Sequence, residues 1–167
     1  MSFVSELLDP ERHYLDAFDC GNESLDRWLR NSADRAQRQD TGRTWVWHDG
    51  SHRVVAYYTL AAHMLDRAKT TENPGSVPSD VPATLLGKLA LSQDLRGQGL
   101  GTQLLTDAVT RCARSNDLVA SRYVVADAID DAAERFYLRH RFIKIPDTAR
   151  LYIRMKDITA AIASRPR

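Results

Sequence analysis

Three glycines alternate within Arg96-Gly97-Gln98-Gly99-Leu100-Gly101, and an amphipathic segment starts directly after them at about Thr102. Leu104, Leu105, Ala108, Val109 and Cys112 recur at the 3.6-residue period as one apolar stripe, with Gln103, Asp107, Thr110, Arg111 and Arg114 opposite. That spacing predicts a helix. The first N–H groups of a helix lack intrahelical acceptors, and its dipole favours negative charge there. Residues without Cβ let those N–H groups approach a ligand closely. A phosphate or pyrophosphate suits such a turn, with the Thr102 hydroxyl and the Arg96 guanidinium as further donors.

The turn must be held by what precedes it. Leu85–Leu91 is a short apolar run that reads as a strand, so the order is strand, glycine turn, helix. A P-loop needs Gly-Lys-Ser/Thr, and no lysine follows these glycines. A dinucleotide fold wants a third glycine where Thr102 stands. The plain structural alternative is a glycine-rich surface loop capping an ordinary helix.

The run Arg96–Gly101 resembles the Arg/Gln-x-x-Gly-x-Gly/Ala signature of the GNAT superfamily of acyl-CoA-dependent N-acyltransferases. Lys88-Leu89-Ala90-Leu91-Ser92 resembles that family's splayed fourth strand. The resemblance implies an α/β (α+β) fold, a mixed and mostly antiparallel central sheet splayed at the fourth strand and flanked by helices. It implies acetyl-CoA as co-substrate, bound by Leu89, Ala90, Leu91, Arg96, Gly97, Gln98, Gly99, Leu100, Gly101, Thr102 and Phe136. A backbone N–H of the strand would also stabilise the oxyanion.

Phe136-Tyr137-Leu138-Arg139-His140-Arg141-Phe142 resembles the family's F-Y-x-x-x-G-F run, whose tyrosine protonates the departing thiolate. Tyr137 is the catalytic acid that this implies. A phenol is neutral at pH 7 and can donate to a developing S⁻. The alternative is a half-buried structural tyrosine with a satisfied hydroxyl. Arg141 stands where the family usually has glycine. No base is singled out, although Asp127 and Glu134 lie nearby in sequence. An α-amine, with a pKa near ~7.7–8.0, needs a base less than a lysine amine near ~10.4 does.

Further runs narrow the resemblance. Phe18-Asp19-Cys20-Gly21 with Leu25-Asp26-Arg27-Trp28-Leu29, then Val55–Leu60, Leu85–Ala90 and Leu151–Met155, are similar to acetyltransferase toxins of toxin–antitoxin pairs. That branch implies acetylation of the α-amine on aminoacyl-tRNA, a ribbon-helix-helix antitoxin and a homodimer. Arg27, Arg30, Arg35, Arg38, Arg139 and Arg141 are the groups that would meet tRNA. Two other readings remain: a GNAT enzyme acting on a polyamine, an antibiotic or a protein N-terminus, and a non-catalytic acyl-CoA-binding or DNA-regulatory subunit.

At 167 residues the chain is expected to form one domain, 1–167, with its core at about 14–156. No apolar run approaches a membrane span, no export signal is visible, and the two cysteines make no metal or redox motif, so a cytoplasmic setting is expected. A net charge of +1 does not announce nucleic-acid binding. All but four of the 23 basic residues are arginine, which suits phosphate contacts but equally reflects a GC-rich genome.

The remaining elements follow in order. Asn22 or Ser24 caps a helix with Leu25, Trp28, Leu29 and Ser32 or Ala33 inward. Its arginine side is either solvated or phosphate-facing. Thr44–Trp47 and Arg53–Ala61 are strands about an Asp49-Gly50 turn. Asp66–Pro82 reads as a loop, Ser121–Ala128 as a strand, Asp130–His140 as a helix, and Phe142–Ile145 and Leu151–Met155 as closing strands. The residues from Asp157 onward are expected to be frayed or bound to a partner.

Overall fold

Period-2 and period-3.6 patterns place most elements of the computed structural model, which describes residues 2–166. In chain order these are β1 (Val4–Leu7), α1 (Glu23–Asn31), α2 (Ala33–Arg38), β2 (Arg43–His48), β3 (Val54–Asp66), β4 (Asp80–Leu91) and α3 (Leu100–Ser115). There follow β5 (Tyr123–Asp127), α4 (Asp131–Arg139), β6 (Ile143–Lys144), β7 (Arg150–Arg154) and α5 (Met155–Ala163). Seven strands form one sheet in the order β1-β2-β3-β4-β5-β7-β6. The β1–β2, β2–β3, β5–β7 and β6–β7 pairs are antiparallel, and β4–β5 is parallel. This is the mixed, mostly antiparallel sheet that the GNAT resemblance implies. The parallel register covers Ala83–Leu86 only, and β4 continues through Gly87–Leu91.

The chain packs as two compact units, Met1–Ala61 with Gly87–Asp107, and Ala62–Leu86 with Ala108–Arg167. In the first, Leu25, Leu29 and Ala33 recur every four residues and are buried with Phe18, Val46, Val54, Tyr57 and Ala90. Each fully buried leucine or valine contributes roughly 1.5–3 kcal/mol. Asn22 caps α1, its side chain accepting from the Leu25 N–H at 3.1 Å. The helix breaks at Ser32, so one expected helix is two. Asp107, assigned by spacing to the solvent side of α3, instead accepts from Ser5 Oγ at 2.6 Å and from Trp47 Nε1 and Tyr58 Oη at 3.0 Å.

In the second unit Leu65, Val81, Ala83, Tyr123, Val125, Ile145 and Tyr152 form the core, with Tyr123 edge-on to Tyr152 at 5.3 Å. The sheet reaches further than the sequence suggests. β3 extends to Asp66 and β4 begins at Asp80, because pairing and the burial of Leu65 and Val81 override the proline-rich composition. The expected loop therefore shrinks, and what remains is held by Arg67 Nη1 to the Val77 carbonyl at 2.6 Å and the Thr71 N–H to Tyr152 Oη at 3.0 Å. The tail is not frayed over 155–163: α5 forms there, burying Met155 and Ile158.

Candidate active site

The glycine turn belongs to the first unit. Gly97 and Gly99 both have φ of 75°, a conformation L side chains rarely adopt. No atom lies within 4 Å of a Cβ built on either, so the backbone on that side is open. Helix α3 starts at Leu100, earlier than spacing predicts, so Gly101 and Thr102 lie within its first turn. Leu100 is buried beneath the turn, whereas Gln98 and Thr102 are exposed. The open side, the glycine conformations and the helix start together suit an anionic ligand.

Arg96 faces elsewhere than the phosphate role would suggest. Its guanidinium donates to the Cys20 carbonyl. The Gln93 N–H donates to the Asp19 carbonyl at 3.0 Å, and its amide to Asp19 Oδ2 at 2.8 Å. The residues before the glycines are thus fastened to the Asp19–Gly21 turn. On β4, Ala90 is buried and Leu89 and Leu91 are partly exposed, while the Lys88 ammonium sits 4.1 Å from the Trp28 ring centroid. Burial lowers the Lys88 pKa.

Tyr137 belongs to the second unit, on a helix whose start is capped by Asp130 accepting from the Ala133 N–H at 2.7 Å. Its ring packs against Phe136 at 5.5 Å and Phe142 at 5.1 Å and is 5% exposed. Among the described residues its hydroxyl has no protein hydrogen-bond partner. Burial first, and then the charge of Asp127, push its pKa well above the ordinary value, so it stays a proton donor. After α4, Arg141 adopts φ of 69°, the left-handed conformation that glycine supplies in the family run. The turn is kept without the glycine.

Both carboxylates suggested by the sequence are ion-paired. Asp127 is gripped by Arg150, Nε to Oδ1 at 2.8 Å and Nη2 to Oδ2 at 2.9 Å. The Arg150 bonds hold the Asp127 pKa below the usual carboxylate value. Glu134 pairs with Lys144 at 3.0 Å. Arg150 also meets His63 Nε2 at 2.8 Å. His63 and Arg150 lie on separate strands with no motif around them, so the sequence does not link either to Asp127.

The arginine stripe is partly committed. Arg27 pairs with Glu23 at 2.6 Å, Arg38 with Asp34 at 2.9 Å, and Arg30 donates to the Phe18 carbonyl at 3.2 Å. Arg35 is exposed, and Arg139 and Arg141 are exposed at the end of α4.

This fold, with a glycine turn opening a helix and a buried phenol kept protonated, is that of an acyl-transferring enzyme, and residues 40–144 match the acetyltransferase (GNAT) domain. The chain belongs to the GNAT family and is an N-acetyltransferase that uses acetyl-CoA. It is similar to a tRNA-acetylating toxin of Mycobacterium tuberculosis, 37% identical over 152 residues, covering 87% of this chain and 89% of that protein. The solved structure of AtaT complexed with acetyl-methionyl-tRNAfMet is similar at a TM-score of 0.88 and 25% identity, over 96% of this chain and 99% of that one. A Tyr→Phe mutant of the AtaT toxin bound to the C-terminus of the antitoxin AtaR gives 0.86 and 25%, over 99% and 100%. Among the described residues no helix is long and apolar enough to cross a membrane.

Proposed function

We propose that this protein is a toxin that acetylates the α-amino group of the amino acid carried by aminoacyl-tRNA and so blocks translation. The observation that carries this reading is the 37% identity to a tRNA-acetylating toxin across 89% of that protein's length. The state of the carboxylates supports it. Asp127 and Glu134 are both ion-paired, and an α-amine near ~7.7–8.0 is already substantially neutral without a base.

In the first unit, the backbone of Leu89, Ala90 and Leu91 and the segment Arg96–Thr102 are assigned to acetyl-CoA. The N–H groups of Gly97, Gln98, Gly99, Leu100 and Gly101 take the pyrophosphate, Arg96 holds the segment in place, and Thr102 adds a hydroxyl. In the second unit, Phe136 is assigned to the same substrate and Tyr137 is the acid. The neutral amine attacks the acetyl carbonyl, the C–N bond forms, the C–S bond breaks, the sulfur takes the Tyr137 proton, and the proton lost from nitrogen returns through solvent to the Tyr137 oxygen. Holding both substrates in place supplies much of the rate.

A ribbon-helix-helix antitoxin is the expected partner, the active species is a homodimer, and its setting is the cytoplasm. The AtaT structure with the C-terminus of AtaR supports an antitoxin partner. Arg27, Arg30, Arg35, Arg38, Arg139 and Arg141 are assigned to tRNA phosphates.

Radiolabelled acetyl-CoA offered with charged tRNA, deacylated tRNA, a polyamine and a lysine peptide tests this. The expected result is label on charged tRNA alone, released by alkali as an acetyl-amino acid. Label on the polyamine or the peptide instead would discard the toxin reading while keeping the enzyme.

A further inference from the structure

Three side chains from different strands of the second unit form a fixed array. Arg150, opening β7, donates two parallel bonds to Asp127 at the end of β5, at 2.8 and 2.9 Å. The same guanidinium reaches His63 of β3, Nη1 to Nε2, at 2.8 Å. A guanidinium has no acceptor, so it must donate, and His63 must offer a lone pair at Nε2. The imidazole is therefore neutral, with its proton on Nδ1. Burial and then the Arg150 charge lower the His63 pKa, in agreement with a neutral ring.

The array is open to solvent. The Asp127 side chain is 44% exposed and that of Arg150 31%. Each carboxylate oxygen keeps a lone pair after accepting one bond from Arg150, and two of the five guanidinium N–H groups are left over. An acceptor and donors thus stand side by side, and the charge of Asp127 is felt by Tyr137.

We propose that Asp127 and Arg150, held in place by His63, form the subsite that receives the α-amino ester of the acceptor. Asp127 accepts an N–H of the attacking amine, and the spare Arg150 N–H groups donate to the neighbouring ester carbonyl. An α-amino ester carries its amine and its carbonyl on adjacent carbons, as this pair requires. A lysine side chain or a polyamine has no carbonyl beside its amine. The subsite therefore selects the acceptor class. This rests on the toxin reading and deepens it.

During attack the nitrogen gains positive charge as the C–N bond forms, and the fixed Asp127 carboxylate stabilises it. The C–S bond then breaks, and the thiolate takes the Tyr137 proton. The surplus proton on nitrogen passes through solvent to the Tyr137 oxygen, which restores the acid and closes the proton balance. His63 touches no substrate. It is a positioning residue that stops Arg150 from swinging away from Asp127.

The test compares Asp127→Asn, His63→Leu and His63→Gln with wild type in KM for charged tRNA, kcat, acetyl-CoA affinity and binding of deacylated tRNA. Loss of a hydrogen bond to a charged group, in the bound amine and in the transition state, predicts kcat/KM for charged tRNA lowered about tenfold or more in Asp127→Asn. Acetyl-CoA affinity and deacylated-tRNA binding should stay at wild-type values. His63→Leu should show the same split, and His63→Gln, whose amide oxygen accepts from Arg150, should recover most of it. Wild-type kcat/KM for charged tRNA in both Asp127→Asn and His63→Leu would overturn the proposal. A second measurement needs no variant: with rates compared per concentration of neutral amine, wild type should acetylate an amino-acid methyl ester at least about tenfold more efficiently than the matched alkylamine without a carbonyl. Equal rates would also overturn it. Failure of wild type to label charged tRNA at all would instead sink the toxin reading.

Discussion

Arg96 donates its guanidinium to the carbonyl of Cys20, which ties the residues before the glycine turn to a loop more than seventy positions earlier in the chain. Gly21 sits under that bond with φ of 82°, and a Cβ there would stand 3.2 Å from both Arg96 Nη2 and Gln93 Oε1. Gly21→Ala combines a strained backbone with crowding of the anchor. It is expected to cost about 1 kcal/mol or more of stability and to weaken acetyl-CoA binding several-fold. Thermal unfolding with and without acetyl-CoA separates the two effects. Arg96→Ala should weaken acetyl-CoA binding as well, without the backbone strain.

Tyr137→Phe removes one oxygen from a ring already held by Phe136 and Phe142. That hydroxyl has no protein hydrogen-bond partner among the described residues, so the unfolding temperature should stay close to wild type. Turnover should fall by about 10²-fold or more, the usual contribution of a positioned acid. The sign of the pKa shift adds a second outcome. Burial raises the phenol pKa, so the protonated acid persists through the ordinary tyrosine range. The rate should show no alkaline loss from this group up to about pH 10. An alkaline limb below pH 10 that disappears in Tyr137→Phe would contradict this.

At Arg141 stability and function are expected to pull apart. An L side chain at φ of 69° costs roughly 1–2 kcal/mol, and glycine removes that cost. Arg141→Gly should raise the unfolding temperature. It also deletes a cation assigned to tRNA, so tRNA affinity should fall and the slope of log K against log salt should drop by about one. A stabilised variant with unchanged salt dependence would remove Arg141 from the tRNA surface and leave the turn argument standing.

What could be read from the chain follows how local each cause is. The glycine turn and α3 were legible because positive-φ glycines and the helical period act within a dozen residues. The ends of β3 and β4 were not, since Leu65 and Val81 become strand residues only by pairing and burial. Helix α5 carried a signal in Met155, Ile158 and Ile162, but it begins on the last residue of an apolar run that reads as a strand. Asp107 sits on the polar side of α3 by period, and its three donors come from three different strands. The link of His63 and Arg150 to Asp127 was the least legible, since no spacing relates residues on β3, β5 and β7. Arg96 had the right type for phosphate, but its Cys20 partner emerges only from the fold.

In the first unit, Glu6 Oε1 is met by His13 Nε2 and His48 Nε2, both at 2.9 Å, and by Arg12 Nη2 at 3.2 Å. With His52 these residues lie close enough to resemble a metal site. The hydrogen bonds indicate otherwise for the two buried rings. The Asp9 N–H donates to His13 Nδ1 at 2.9 Å and the Gly50 N–H to His48 Nδ1 at 3.1 Å. Each Nδ1 is an acceptor, so each neutral ring carries its proton on Nε2, facing Glu6 as a donor. A metal would need lone pairs there. Added Zn²⁺ is therefore expected to leave the unfolding temperature unchanged, and a clear rise would refute the tautomer assignment. The His13 and His48 bonds, in that order, hold the Glu6 pKa below its ordinary value. With the folded-state pKa depressed, its stabilising contribution is complete above the ordinary carboxylate pKa and is lost as pH falls through the lowered one. Glu6→Gln should lower the unfolding temperature at pH 7. Below about pH 4.3 the difference from wild type should shrink as Glu6 itself takes up a proton. A gap that stays constant from pH 7 to pH 3 would mean that the charge on Glu6 contributes nothing to stability.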